Sequence, residues 1–205
     1  MKPLSFDSIK TAVLKKGYKW FTDKPMIIGI RTESGLPNVF DDYFILCQEY
    51  KDRSFVGLMC TTEPGTFYLQ KPMNVKGTAI LVPGQYIDVW QLGIHGASNK
   101  HPHEAFIQCG TFKVWRDNNK NSLADHIGPI LNAGIGSCIN GHSTGIFKYI
   151  PAKIDNWSAA CQVTQNYEAF KTKIIDEVKQ SYLKGFNLPY STKYTYTLLE
   201  EKDLI

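Results

Sequence analysis

The chain has 205 residues, 43% hydrophobic and 13% aromatic, enough to bury one substantial core and short enough to favour a single domain. Its net charge of +4 comes from 23 lysines and arginines scattered along the chain rather than gathered into a basic arm, which argues against nucleic acid as a partner. Residues 1–21 lack the continuous apolar block of a secretory signal and no long apolar run follows. A monomer made in the cytoplasm without membrane insertion is therefore expected.

In chain order, a helix is expected from Ser5 or Asp7 as cap through Ile9, Val13 and Leu14, ending near Gly17, so that residues 1–22 form an N-terminal helical extension. The pattern then turns to strands at Met26 to Ile30, Tyr43 to Tyr50, Phe55 to Cys60, Thr78 to Val82, Tyr86 to Ile94, Phe106 to Gln108 and Thr111 to Trp115. Pro37-Asn38, Pro64-Gly65, Pro83-Gly84 and Asp117-Asn118-Asn119 punctuate them as turns. A second helix starts near Asn166, its apolar stripe running through Tyr167, Phe170, Ile174, Val178 and Tyr182 and stopping at Gly185 and Pro189. Alternation of Tyr194, Tyr196 and Leu198 with Thr195 and Thr197 predicts a last, half-buried strand. The fold class is mostly β, a sandwich or barrel with peripheral helices.

The cysteines at 47, 60, 109, 138 and 161 are odd in number and form no CxxC pair, so neither a disulfide framework nor a zinc ribbon is indicated. Cys47, Cys60 and Cys109 lie in apolar strand-like runs and read as small buried hydrophobes. Cys161 differs, sitting among Trp157, Ser158, Ala159, Ala160 and Gln162. An imidazole such as His142 could take its proton, since only the thiolate attacks and a free thiol titrates near about 8.5. Small residues before Cys161 would let its backbone approach a scissile carbonyl.

At these residues a resemblance emerges. His142-Ser143 followed by Ser158-Ala159-Ala160-Cys161 resembles the L,D-transpeptidase motif, a His with Gly or Ser after it and then Ser-x-Gly-Cys. Asn156-Trp157-Ser158-Ala159-Ala160-Cys161-Gln162-Val163 is similar to the NWSAGCQV signature of a phage and bacterial branch of that superfamily. The likeness extends through Gly29-Ile30-Arg31, Phe40-Asp41-Asp42, Pro64-Gly65-Thr66-Phe67-Tyr68, Lys71 to Ile80 and Arg116-Asp117-Asn118-Asn119.

The resemblance implies one L,D-transpeptidase-like catalytic domain over residues 1–205, a β-sandwich or barrel acting without a cofactor. Cys161 would attack the meso-diaminopimelate carbonyl of a peptidoglycan stem peptide and expel D-alanine, with His142 as base. The carbonyl of Ser143 or Gly141 would orient the ring, and amides at Ala160 and Cys161 would form the oxyanion hole. Asn156, Trp157, Ser158 and Gln162 complete the expected substrate wall. Water as acceptor makes a carboxypeptidase or endopeptidase, such as a phage endolysin released to the periplasm and cell wall. An amine acceptor makes a transpeptidase, and a silent wall-binding or virion protein is the third reading. Three positions depart from the family: Ala160 replaces its glycine, Ser143 its arginine after the His, and Gln162 an arginine after the Cys. Ala160 would be strained if that position needed positive φ.

Of the remaining features, His95 at a strand end reads first as a structural hydrogen-bonder, and His101-Pro102-His103 as a solvated loop rather than a zinc site. Asp117 to Asp125 faintly echoes a calcium loop but reads as a hairpin turn. Trp157 fits core and substrate wall equally.

Overall fold

The computed structural model describes residues 4–34, 36–97, 102–146, 149–183 and 192–204. Helix α1 (Phe6–Lys15) begins at Ser5, whose hydroxyl accepts from Ser8 N at 3.1 Å while Ser8 Oγ accepts from Ser5 N at 3.0 Å, so two end amides are satisfied reciprocally. Gly17, at φ 71, turns the chain just beyond its end.

The strands are β1 (Met26–Arg31), β2 (Asp42–Gln48), β3 (Ser54–Thr61), β4 (Thr78–Leu81), β5 (Gly84–His95) and β6 (His103–Gln108). They continue with β7 (Phe112–Asp117), β8 (Leu131–Ala133), β9 (Gly141–Ser143), β10 (Gln162–Thr164) and β11 (Lys193–Glu200). Eight of them close a barrel in the order β1-β11-β5-β6-β9-β10-β3-β2, and β4-β7-β8 form a small second sheet. Two barrel joins, β1 to β11 and β9 to β10, are parallel; the others are antiparallel. The protein is thus mostly β, as its strand pattern predicts.

Side-chain alternation sorts the strands between two cores. Ile27, Phe44, Leu46, Trp90, Phe106, Tyr194 and Tyr196 join one apolar cluster with Phe112 and Val114 of the small sheet. Met26, Ile28, Ile30, Ile45, Cys47 and Leu199 point the other way, onto Phe6, Ile9, Ala12 and Val13 of α1. The expected N-terminal extension is therefore an integral layer of the fold. Leu14 is 50% exposed, because it lies about 100° round the helix from Val13. β11 is not half-buried as its alternation suggested: Thr195 and Thr197 are fully buried along with the tyrosines, since the strand lies inside the sheet between β1 and β5.

Helix α2 (Thr66–Gln70) follows Pro64-Gly65, where only a turn was expected. Helix α3 (Tyr167–Phe170) is capped by Asn166, whose side chain accepts from Ala169 N, and runs through a π-helical turn (Lys171–Ile175) into α4 (Asp176–Leu183). Phe170, Ile174 and Val178 are buried in the main core as the stripe predicts, whereas Tyr167 is only half-buried. The expected terminators Gly185 and Pro189 lie outside the described residues, as does His101. Cys47 and Cys60 are buried, while Cys109 is half-buried. In the 117–125 turn, Asp117 accepts from Asn119 N and Asp125 N, so its carboxylate is occupied by backbone amides. Among the described residues no helix is long and apolar enough to cross a membrane.

Candidate active site

β9 and β10 bring the two halves of the motif together. Their parallel register sets Gln162 opposite Gly141, Val163 opposite His142 and Thr164 opposite Ser143, so Cys161 enters the barrel beside residue 140. The run 138–140 leading into β9 is held from the core. Trp90 Nε1 donates to Ile139 O at 2.8 Å, and Gln108 Oε1 accepts from Ile139 N at 2.7 Å. Asn140 Oδ1 accepts from Gln108 N at 2.9 Å. Those anchors fix the strand that carries His142.

Cys161 and His142 open into one cleft of about 770 Å³ between the barrel and the small sheet, lined also by Asn156, Trp157, Ala160 and Ser143. His142 Nδ1 lies 2.8 Å from Ser143 O. A carbonyl only accepts, so Nδ1 carries the hydrogen and Nε2 keeps a bare lone pair, as a general base requires. Of the two orienting carbonyls expected, Ser143 is the one used.

The half-buried Cys161 thiol donates to Cys138 O at 3.3 Å and accepts from Asn140 N at 3.5 Å. Burial pushes it up to about 11; the Asn140 amide opposes this and the neighbouring Cys138 thiol adds to it. Burial likewise holds His142 well below its ordinary 6.5, reinforced by His95 and opposed by the Ser143 carbonyl. At neutral pH the resting pair is thus an uncharged thiol and an uncharged imidazole. The amides of Ala160 and Cys161 donate to no other group among the described residues, which leaves them free for an oxyanion. Ala160 has no positive φ, so its methyl is unstrained where the motif it resembles carries glycine.

Gly141, Ser158 and Gln162 point away from the cleft. A Cβ on Gly141 would stand 2.9 Å from Trp90 Cη2 and 3.3 Å from Phe44 Cε2, so the residue is glycine because the core aromatics abut its backbone. Ser158 Oγ donates to Cys161 O at 2.8 Å, bracing the turn before Cys161. Gln162 is fully buried; its Oε1 accepts from Tyr196 Oη at 2.7 Å and its Nε2 donates to Ala160 O at 3.1 Å. These three support the site from behind. Trp157 lines the cleft and also lies against Phe40, Ile154 and Val163.

Sequence reasoning set His95 aside, yet its ring stacks on His142 with centroids 3.7 Å apart and planes 11° from parallel. Register explains this: His95 ends β5 directly opposite His103, which begins β6, and β9 is the next strand. Asn140 Oδ1 is taken by an N–H, so its Nδ2 must donate to His95 Nδ1, 3.1 Å away, leaving the hydrogen of neutral His95 on Nε2. Burial, then His103, lowers His95 to about 4. Stacked rings of opposite tautomer therefore offer the cleft one acceptor and one donor. His103 is buried beside both rings, at 5.3 and 5.6 Å. Among the described residues no group of three or more His, Cys, Asp or Glu is arranged to hold a metal ion. Asn140 and Gln108 carried no legible signal; the Leu92-Gly93-Ile94-His95-Gly96 run did, as a histidine followed by a glycine at a strand end.

A smaller cavity of about 290 Å³ is lined by Arg31, Asp42, Glu63 and His126 and holds no cysteine. Its charges are largely satisfied internally: Arg31 Nε lies 3.0 Å from Thr62 Oγ1 and 3.1 Å from Glu63, while Asp42 accepts from Thr62 N and Oγ1 at 2.7 Å. No family model matches this chain, and no curated protein or solved structure matches it.

Proposed function

We propose that this chain is a cysteine-nucleophile hydrolase of peptidoglycan stem peptides, L,D-transpeptidase-like in fold and chemistry, acting at the meso-diaminopimelate–D-alanine bond as a lysis enzyme. The observation that carries this reading is the junction of β9 and β10, which puts Cys161 and an Nε2-bare His142 in one accessible cleft. His142 takes the thiol proton as Sγ attacks the carbonyl carbon, and the Ala160 and Cys161 amides receive the oxyanion. The imidazolium then protonates the departing amine of D-alanine, and water, deprotonated by the same ring, hydrolyses the thioester. For this the thiol turns from Cys138 O toward the imidazole. Incubation with diaminopimelate-type muropeptides should shorten stems or open cross-links by mass spectrometry, and Cys161→Ala should abolish it. Unchanged masses refute the reading, and new cross-linked dimers assign transpeptidation instead.

The second reading, a silent wall-binding or virion protein, is favoured by one observation, the thiol held up to about 11. Iodoacetamide labelling against pH separates the two. In a silent protein, labelling of Cys161 keeps an apparent pKa near 11 with muropeptide present; in an enzyme, bound substrate accelerates loss of the thiol to the acyl form.

A further inference from the structure

The cleft that holds Cys161 has a single permanent charge in its wall, the guanidinium of Arg116, and no carboxylate among the described residues. Arg116 stands on β7 opposite Ala79 of β4, so it lines the cleft from the small sheet while the nucleophile and base line it from the barrel. Its Nη1 donates to Gly77 O at 3.1 Å, which fixes the plane of the fork and leaves most of its five N–H donors uncommitted. Among the described residues it forms no ion pair with any Asp or Glu. The adjacent Asp117 alternates to the other face of β7 and is engaged by the amides of Asn119 and Asp125.

Arg116 is half-buried, and burial lowers its pKa with no carboxylate to offset the loss of water. A partly desolvated cation without a counter-ion is an electrostatic deficit that an anionic ligand relieves. Burial holds His95 and His142, in the same wall, below their ordinary pKa, so Arg116 is the permanent cation of the cleft among the described residues. A planar fork held at one corner matches a carboxylate in two parallel hydrogen bonds.

We infer that Arg116 is the anchor for a free carboxylate of the peptide substrate, gripped on the small-sheet wall while the scissile carbonyl meets Cys161 on the barrel wall. The inference rests on the stem-peptide reading and adds its specificity determinant. A stem peptide offers that group from three places, the α-carboxylate of its γ-linked D-glutamate, the diaminopimelate residue and the terminal D-alanine.

Binding is measured calorimetrically on Cys161→Ala protein, which cannot turn substrate over. Four tetrapeptide stems are compared: the free acid, one amidated at the terminal D-alanine, one amidated at diaminopimelate, and one amidated at the D-glutamate α-carboxyl. The expected result is that Arg116→Gln, in that background, weakens free-acid binding about 10- to 100-fold. It should leave the affinity for one of the amidated peptides unchanged, and so identify the carboxylate gripped. Arg116→Lys, which keeps the charge without the fork, should fall between. Equal binding by the Arg116→Gln and parent proteins overturns the inference, as does an equal loss on all four peptides or no binding of any. Turnover of muropeptides by the unaltered chain is read separately. Turnover without carboxylate discrimination removes the anchor and keeps the hydrolase; discrimination without turnover keeps the anchor and removes the hydrolase.

Discussion

Acid should destabilise this fold through its imidazole stack, and His95 is the cleanest place to measure it. In the unfolded chain a histidine takes its proton near about 6.5, whereas the folded ring, buried beside His103 and stacked on His142, holds out to about 4. Between those values the unfolded state binds more protons, so the stability present above pH 6.5 is lost as the pH falls through 4. The displacement corresponds to roughly 3 kcal/mol at 1.36 kcal/mol per unit, and solvent screening of a half-buried ring reduces it to about 2. His142, lowered from the same ordinary value, adds a loss of the same sign. Urea unfolding of wild type and His95→Gln at pH 7, 6, 5 and 4.5 isolates the effect, because titrating carboxylates act alike in both. His95→Gln should lose about 2 kcal/mol less than wild type across that window. Parallel stability curves would refute the burial argument.

Other outcomes follow from particular contacts. Since the resting pair is uncharged, kcat/KM on muropeptides should be flat from about pH 6.5 to 9, and a bell centred near 7 would show an ion pair instead. Gly141→Ala drives a methyl into Trp90 and Phe44 and should cost about 1–3 kcal/mol in denaturant unfolding, with activity falling as β9 shifts. Tyr196→Phe leaves the fully buried Gln162 Oε1 without its donor and should destabilise by about 1–3 kcal/mol, read from the urea midpoint at constant m-value. Asn140→Asp replaces the amide on His95 Nδ1 with a carboxylate, so the His95 pKa should rise, as read from imidazole proton shifts in an NMR titration.

Most of the scaffold was legible because its signals are local. Ser5 or Asp7 before an apolar period writes a helix start, β-branched and aromatic runs write β1 to β7, and the period of Phe170, Ile174 and Val178 writes the face of the C-terminal helices. β8, β9 and β10 were missed because three residues each carry no period; they are strands only because neighbours supply their ladders. Leu14 and β11 went wrong for a related reason, since burial of a whole face depends on what covers it.

At the site, chemistry and position divide in the same way. Residue types and their order along the chain singled out Cys161 and His142, because a thiol and an imidazole are properties of groups, while the resemblance left the orienting carbonyl open between Ser143 and Gly141 and the fold pairs the ring with Ser143. Only the closed barrel decided that His95 stacks on His142, that Gly141 and Gln162 face aromatic core instead of cleft, and that Arg116 looks across from another sheet. Those are relations between residues tens of positions apart, and strand register, not sequence spacing, sets which side chains share a surface.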